Sequence, residues 1–432
     1  MKPFQVGVLV AFGLIALVSL FLFANFKGFG NNVEDIGAVV IWGTVPAKSI
    51  TPGLNELKRL HKEYGKVTYQ ERSAQTFETD LASAIAAGAG PDLILINQEH
   101  LVAEKPRLTV IPSSVISERA FRDSYLPIFD LYLASGGTYG IPFLVDPLVL
   151  YYNRVTLATL GVAAAPATWE AVTGLAPSLA RMNSAQTIEK SAIALGSYGN
   201  IENARSILSL LFLQTGQGIT AESGGTVRST LLGGGAGATG VTGTESALNF
   251  YAEFANPAKT TYSWSRSFPS ARQEFVEGDT ALYLGYASER SGLAAANPNL
   301  DFDMAAAPQP GTATFRTTYA RAYAFALPKA SKNPKGALSA ALALSGRDVL
   351  PTAARGAGMA PSARSLLVPS NADLYEAVYY PEALAARAWL SPAPPATDRV
   401  FATMMDNVNS GRMSVKQALV AADQALNAAL AP

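Results

Sequence analysis

The chain contains no cysteine, so it forms no disulfide, offers no thiolate to a metal and has no cysteine nucleophile. Histidine is nearly absent too: with only His61 and His100, zinc coordination and Ser-His-Asp chemistry lack their usual parts. His61, in Leu57-Lys58-Arg59-Leu60-His61-Lys62-Glu63, reads as the polar side of an amphipathic helix. His100 follows an apolar run and reads either as a loop histidine or as a residue lining a cleft. Charge is scarce, at 15% of residues, and 33 basic groups cancel 33 acidic ones. Without a basic cluster the sequence excludes nucleic acid as a partner. Nothing in it calls for a cofactor or a metal.

What is present is apolar and long. At 432 residues, 49% of them hydrophobic, the chain exceeds the size at which a single core keeps growing, so two domains are expected. Val6 to Ala24 is almost wholly apolar, flanked by Lys2 and Lys27, and is long enough to cross most of a bilayer's hydrocarbon core. The expectation is an N-terminal transmembrane helix kept as an uncleaved anchor. Leu22-Phe23-Ala24 offers only a weak alternative site for signal cleavage, and no cysteine is available for lipid attachment. Residues 28–432 hold no second apolar run of spanning length, so an exported body hanging from one helix is the natural reading, with residues 1–32 as anchor and tether.

Beyond the tether, Ala38 to Trp42 reads as a buried strand, Leu54 to Tyr64 as a helix, Val67 to Tyr69 as a strand, Phe77 to Ala87 as a helix and Asp92 to Ile96 as a strand. This is the start of a doubly wound α/β domain, whose ligands sit beyond the carboxyl ends of strands. Gly140-Ile141-Pro142-Phe143-Leu144-Val145-Asp146-Pro147 places two prolines around an extended segment, suggesting a crossover between domains. Helices are expected at Trp169 to Met182, Ile201 to Gln214, Pro334 to Leu344, Tyr375 to Trp389 and Val415 to Leu430. Strands are expected at Ala281 to Gly285, Phe302 to Pro308 and Ala322 to Pro328. The Gly- and Thr-rich Gly216 to Gly243 lacks the Gly-Lys-Ser/Thr of a phosphate loop and reads as a surface excursion.

Several segments, in order, resemble the extracellular solute-binding proteins of ABC importers, in particular the sugar-oriented group that includes maltose-binding protein. The most specific is Gly140-Ile141-Pro142-Phe143 followed by Leu150-Tyr151-Tyr152-Asn153-Arg154, Leu160-Gly161-Val162 and Pro166-Ala167-Thr168-Trp169-Glu170. Ala86-Ala87-Gly88-Ala89-Gly90-Pro91-Asp92-Leu93, Phe275-Val276-Glu277-Gly278-Asp279-Thr280-Ala281-Leu282 and Asn409-Ser410-Gly411-Arg412 before Val415-Lys416-Gln417-Ala418-Leu419 add to it. The resemblance implies a two-lobed α/β fold of the type II periplasmic-binding-protein kind, whose chain crosses the hinge three times. Residues 36–143 plus 309–346 would form one lobe and 147–304 plus 350–430 the other. It implies a non-enzymatic, monomeric receptor that closes on a small solute, a sugar or oligosaccharide, and hands it to the permease subunits of an importer.

A sugar presents hydroxyls and apolar CH faces, so its cleft needs flat aromatic rings beside carboxylates or amides. Asp146 falls where similar sugar binders place an acidic contact, and Tyr286, after Gly285, where they place a stacking ring, more familiarly Trp. Trp42 and Thr44 end the first strand, and Asn97, Gln98 and Glu99 follow the third. Trp264 lies in the polar Tyr262-Ser263-Trp264-Ser265-Arg266, an unusual setting for a core tryptophan. Trp389, before Leu390-Ser391-Pro392, suits either the cleft or helix-end packing, and Phe77 and Arg321 are further candidates with ordinary core or surface readings. Rival readings are a glycosidase using Asp146 and Glu99, an adhesin or sensory module on the same fold, and a receptor for peptides or polyamines.

Overall fold

The computed structural model describes residues 36–233, 242–371 and 373–431. The apolar run Val6 to Ala24 lies outside them, and among the described residues no helix is long and apolar enough to cross a membrane. Eleven strands form one continuous sheet: β1 (Val39–Gly43), β2 (Val67–Glu71), β3 (Leu93–Asn97), β4 (Ile141–Asn153), β5 (Arg181–Met182), β6 (Ile188–Ile193), β7 (Thr280–Tyr286), β8 (Phe302–Ala306), β9 (Thr318–Ala326), β10 (Ala360–Pro361) and β11 (Ala386–Arg387). Along it the order is β2-β1-β3-β9-β4-β7-β6-β5, with β8 and β10 also on β4 and β11 on β9.

β1, β2 and β3 run parallel, as a doubly wound start requires, with Ile41 opposite both Tyr69 and Leu93. β4 makes the continuity. Its first half, through Pro147, pairs antiparallel with β9, and from Leu148 onward it pairs with β7 and β8. The expected crossover is therefore a single strand shared by two half-sheets, one per domain. Pro142 faces Ala324 beside a register shift at Tyr323/Ala324, where a residue without an N–H is tolerated.

The first helix begins at Ala47, not at Leu54, and carries Pro52 and Gly53 inside it to Leu60. Those residues look like breakers in sequence, but they are packing surface. A Cβ on Gly53 would lie 2.6 Å from that of Ala353, and one on Gly356 would lie 2.6 Å from Pro52. Small residues thus let this helix and Leu350–Ala357 approach closely. Helix Leu350–Ala357 and β10, on Leu144 and Val145, belong with the first half-sheet, and Arg364 still donates to the Tyr125 carbonyl there at 2.7 Å.

Other helix ends follow side-chain chemistry. Thr168 caps Trp169–Leu179 by accepting from the Ala171 N–H at 3.2 Å, and Ser414 forms a capping box with Gln417 at the start of Val415–Leu430. The expected helix from Tyr375 to Trp389 stops at Ala385 and gives way to β11. The Gly- and Thr-rich segment contains a hairpin, Thr220–Ser223 with Thr226–Ser229; its residues 234–241 lie outside the description.

Candidate functional site

The site grows from one rung of the sheet. Asp146 on β4 and Arg321 on β9 are register partners where β4 changes from one half-sheet to the other. Asp146 is buried, and both its oxygens are occupied: Oδ1 accepts from the Ser288 N–H at 3.1 Å and Oδ2 from its hydroxyl at 2.6 Å. Burial raises the Asp146 carboxyl to about 7, against the opposing pull of Ser288 and Arg321. The Arg321 guanidinium turns instead toward Tyr286, the last residue of β7, and lies 4.2 Å from the centre of its ring. The Tyr286 hydroxyl meets Ser206 Oγ at 2.6 Å.

Ser206 belongs to helix Ala204–Gln214, and its neighbour Arg205 reaches the opposite half of the molecule. Arg205 Nη2 contacts Glu99 Oε2 at 2.8 Å and its Nη1 contacts Asp398 at 3.0 Å. Glu99 also accepts from the Tyr319 hydroxyl at 2.6 Å. Burial by itself would raise the Glu99 carboxyl, but Arg205, Arg321 and Tyr319 outweigh it and hold it at about 2. Beside this group Trp389 donates from Nε1 to Ser209 Oγ at 3.0 Å, three residues beyond Ser206 on the same helix. Trp389 also lines a cavity of about 340 Å³ with Ile128, Asp130, Glu222 and Arg387. Lys105 and Glu222 form a further ion pair close by, at 3.1 Å.

The structure thus brings Asp146, Glu99, Tyr286, Arg321 and Trp389 to one seam and leaves other candidates out of it. Trp264 is fully buried: its Nε1 donates to Asn200 Oδ1 at 3.1 Å and its ring packs edge-on against Phe268. The polar sequence around it misleads because a loop can be covered from outside. Phe77 is likewise core, packed against His100. His100 itself is buried on a helix and pairs with Glu78 at 2.9 Å, not in a loop.

Asn97, Gln98 and Glu99 are not a loop either. Asn97 caps helix Gln98–Glu104 through the Glu99 N–H, and Gln98 is spent on β9, accepting from the Ala322 N–H at 2.8 Å. Trp42, next to last in its strand, lies under the Arg72 guanidinium at 3.7 Å, and Thr44 just beyond the strand is half-buried. Sequence reasoning missed Arg205, Ser206, Ser288 and Tyr319. Arg205 had a signal: it is the single charge in Ala204–Gln214, an otherwise apolar and hydroxylated helix.

Two α/β half-sheets sharing one long strand, with charged and aromatic side chains gathered where they meet, define a two-domain binding protein. The family of bacterial extracellular solute-binding proteins matches residues 47–344, and the chain belongs to it. Solved structures of similar fold include the cyclic alpha-maltosyl-1,6-maltose binding protein from Arthrobacter globiformis, with TM-score 0.73 and 16% identity, covering 91% of this chain and 99% of that one. A solute-binding protein from Thermotoga lettingae bound with alpha-D-tagatose has TM-score 0.70 and 19% identity, covering 91% of this chain and all of that one (100%). The maltose/maltodextrin-binding domain from Bdellovibrio bacteriovorus bound to maltotriose has TM-score 0.67 and 15% identity, covering 90% and 98%. Among curated proteins the chain finds no match.

Proposed function

We propose that this protein is the solute receptor of an ABC-type importer, closing its two domains around a carbohydrate at the seam lined by Tyr286, Trp389, Arg321, Glu99 and Asp146. The observation that carries this reading is the convergence of two aromatic side chains with charged groups from both half-sheets, joined by Glu99 and Arg205 at 2.8 Å. Family membership and the ligands named for the similar structures support it. The first domain would comprise residues 36–143 and 309 to about 366, the second 147–304 and the remainder, in keeping with the packing of Leu350–Ala357.

A binding role without catalysis fits the two carboxylates. A glycosidase needs one acid free to give a proton and one free to attack or to activate water. Here both oxygens of Asp146 are held by Ser288, and those of Glu99 by Tyr319 and Arg205. The Val6 to Ala24 run would hold the receptor, a monomer, at the outer face of the membrane beside the permease subunits.

A thermal-shift screen of the chain against saccharides, with amino acids, peptides and polyamines as comparison sets, tests the proposal. A ligand at 100 times its Kd adds about 2.7 kcal/mol to stability. A shift confined to saccharides is expected, whereas a shift from another solute class alone would replace the carbohydrate reading.

A further inference from the structure

Arg321 and Arg205 share one fully engaged carboxylate. Glu99 Oε1 is taken by the Tyr319 hydroxyl at 2.6 Å and Oε2 by Arg205 at 2.8 Å, while Arg321 Nε stands 3.6 Å from that same Oε2. Arg205 has a second ion-pair contact in Asp398, whereas among the described residues Arg321 has a contact of that kind with Glu99 alone. Its register partner Asp146 is turned to Ser288, makes no ion pair with Arg321 within 4 Å, and is pushed by burial toward its neutral form, so it balances the guanidinium only weakly.

The Nε atoms of both arginines are buried without a hydrogen-bond partner. A guanidinium carries five donors and cannot shed its charge, so a poorly paired one out of bulk water is costly unless something else pairs it. Arg321 is also prepared for a partner. Tyr286 supports its plane at 4.2 Å, and 28% of its side chain remains accessible at the seam. A planar guanidinium held in this way is suited to a carboxylate, which it can take with two parallel hydrogen bonds. A neutral hydroxyl would accept a single bond and leave the charge unbalanced.

We propose that the solute carries a carboxylate that pairs with Arg321, making the ligand a uronic-acid saccharide and not a neutral one. This deepens the carbohydrate reading above and rests on it. Arg205, already paired with Glu99 and Asp398, ties the two halves together; Arg321 reads the ligand's charge.

The test is calorimetric titration of the full chain with digalacturonate and diglucuronate. Each is compared with its methyl ester, with the neutral disaccharide and with adipate, a dicarboxylate that has no sugar ring. The expected result is binding of an acid at least tenfold tighter than its own ester, with that preference abolished in Arg321→Gln and only partly restored in Arg321→Lys, which keeps the charge but not the planar fork. The ester comparison uses the unaltered protein, so it decides the matter even if the glutamine variant does not fold. Equal or tighter binding of the ester or the neutral disaccharide overturns the carboxylate proposal and leaves the carbohydrate reading standing. Adipate binding as tightly as the uronates keeps the carboxylate but removes the sugar, and no binding by any member of the set overturns the proposal.

Discussion

Glu99 and Arg205 meet at 2.8 Å with only 3% and 12% of their side chains exposed, one at the start of a helix following β3 and the other on helix Ala204–Gln214, which packs against β9. The pair joins the two halves of the molecule with no other group between them. Removing one member of a buried ion pair leaves the other uncompensated and typically costs about 3–5 kcal/mol.

Glu99→Gln should therefore lower stability by about 3 kcal/mol near neutral pH. It should also remove an acid-dependent component. The Glu99 carboxyl is held near 2, below its ordinary 4.5, so its contribution is complete above about 4.5 and fades as the pH falls toward 2. Urea unfolding across that window should show a shallower loss in the variant; an identical slope in the two proteins would count against the pairing.

Asp146 behaves in the opposite sense. Burial raises its carboxyl from 3.8 to about 7, so the folded state prefers the neutral acid, and the stability this gives is present below about 3.8 and lost as the pH rises through 7. In Asp146→Asn the decline between those limits should flatten, by up to about 4 kcal/mol. Unfolding curves at pH 4.5, 6 and 8 measure it, and a wild-type protein with no decline would contradict the burial account.

Trp264→Ala should destabilise the protein by about 3–5 kcal/mol through cavity formation, while a folded sample keeps its ligand affinity. Chemical denaturation and titration on the same sample separate the two effects. Lost affinity with little lost stability would return Trp264 to the cleft.

Gly53→Val should cost about 1–3 kcal/mol because of the close approach to Ala353, although a β-branched residue inside a helix is better tolerated than glycine in isolation. A Tm equal to that of the wild type would mean that the two helices can move apart freely.

The sheet was largely legible because its strands are apolar and bounded by turn residues: β1, β3 and β7 lie within a residue or two of their expected limits. β4 was visible as a proline-flanked crossover, but not as one strand serving both half-sheets, since pairing partners depend on distant sequence. Helices Leu350–Ala357 and Pro394–Asn409 escaped notice because Pro351 and Pro394–Pro395 resemble breakers, whereas proline in a first turn costs nothing. In the site, Asp146 and Tyr286 were suggested by the resemblance to sugar-binding proteins, whereas Asp146 and Arg321 lie in mid-strand, where strand-end reasoning gives no signal. Trp264 and Phe77 were not separable from cleft residues, because residue type alone does not show which side of a loop or helix is covered.

The most direct test of the account is a crystal structure with a saccharide that gives a thermal shift. The ligand is expected between the two half-sheets, stacked on Tyr286 or Trp389 and in hydrogen-bond contact with Arg321. A saccharide bound elsewhere, with the Glu99–Arg205 seam unchanged and Arg321 untouched, would contradict the assignment of this seam as the receptor site.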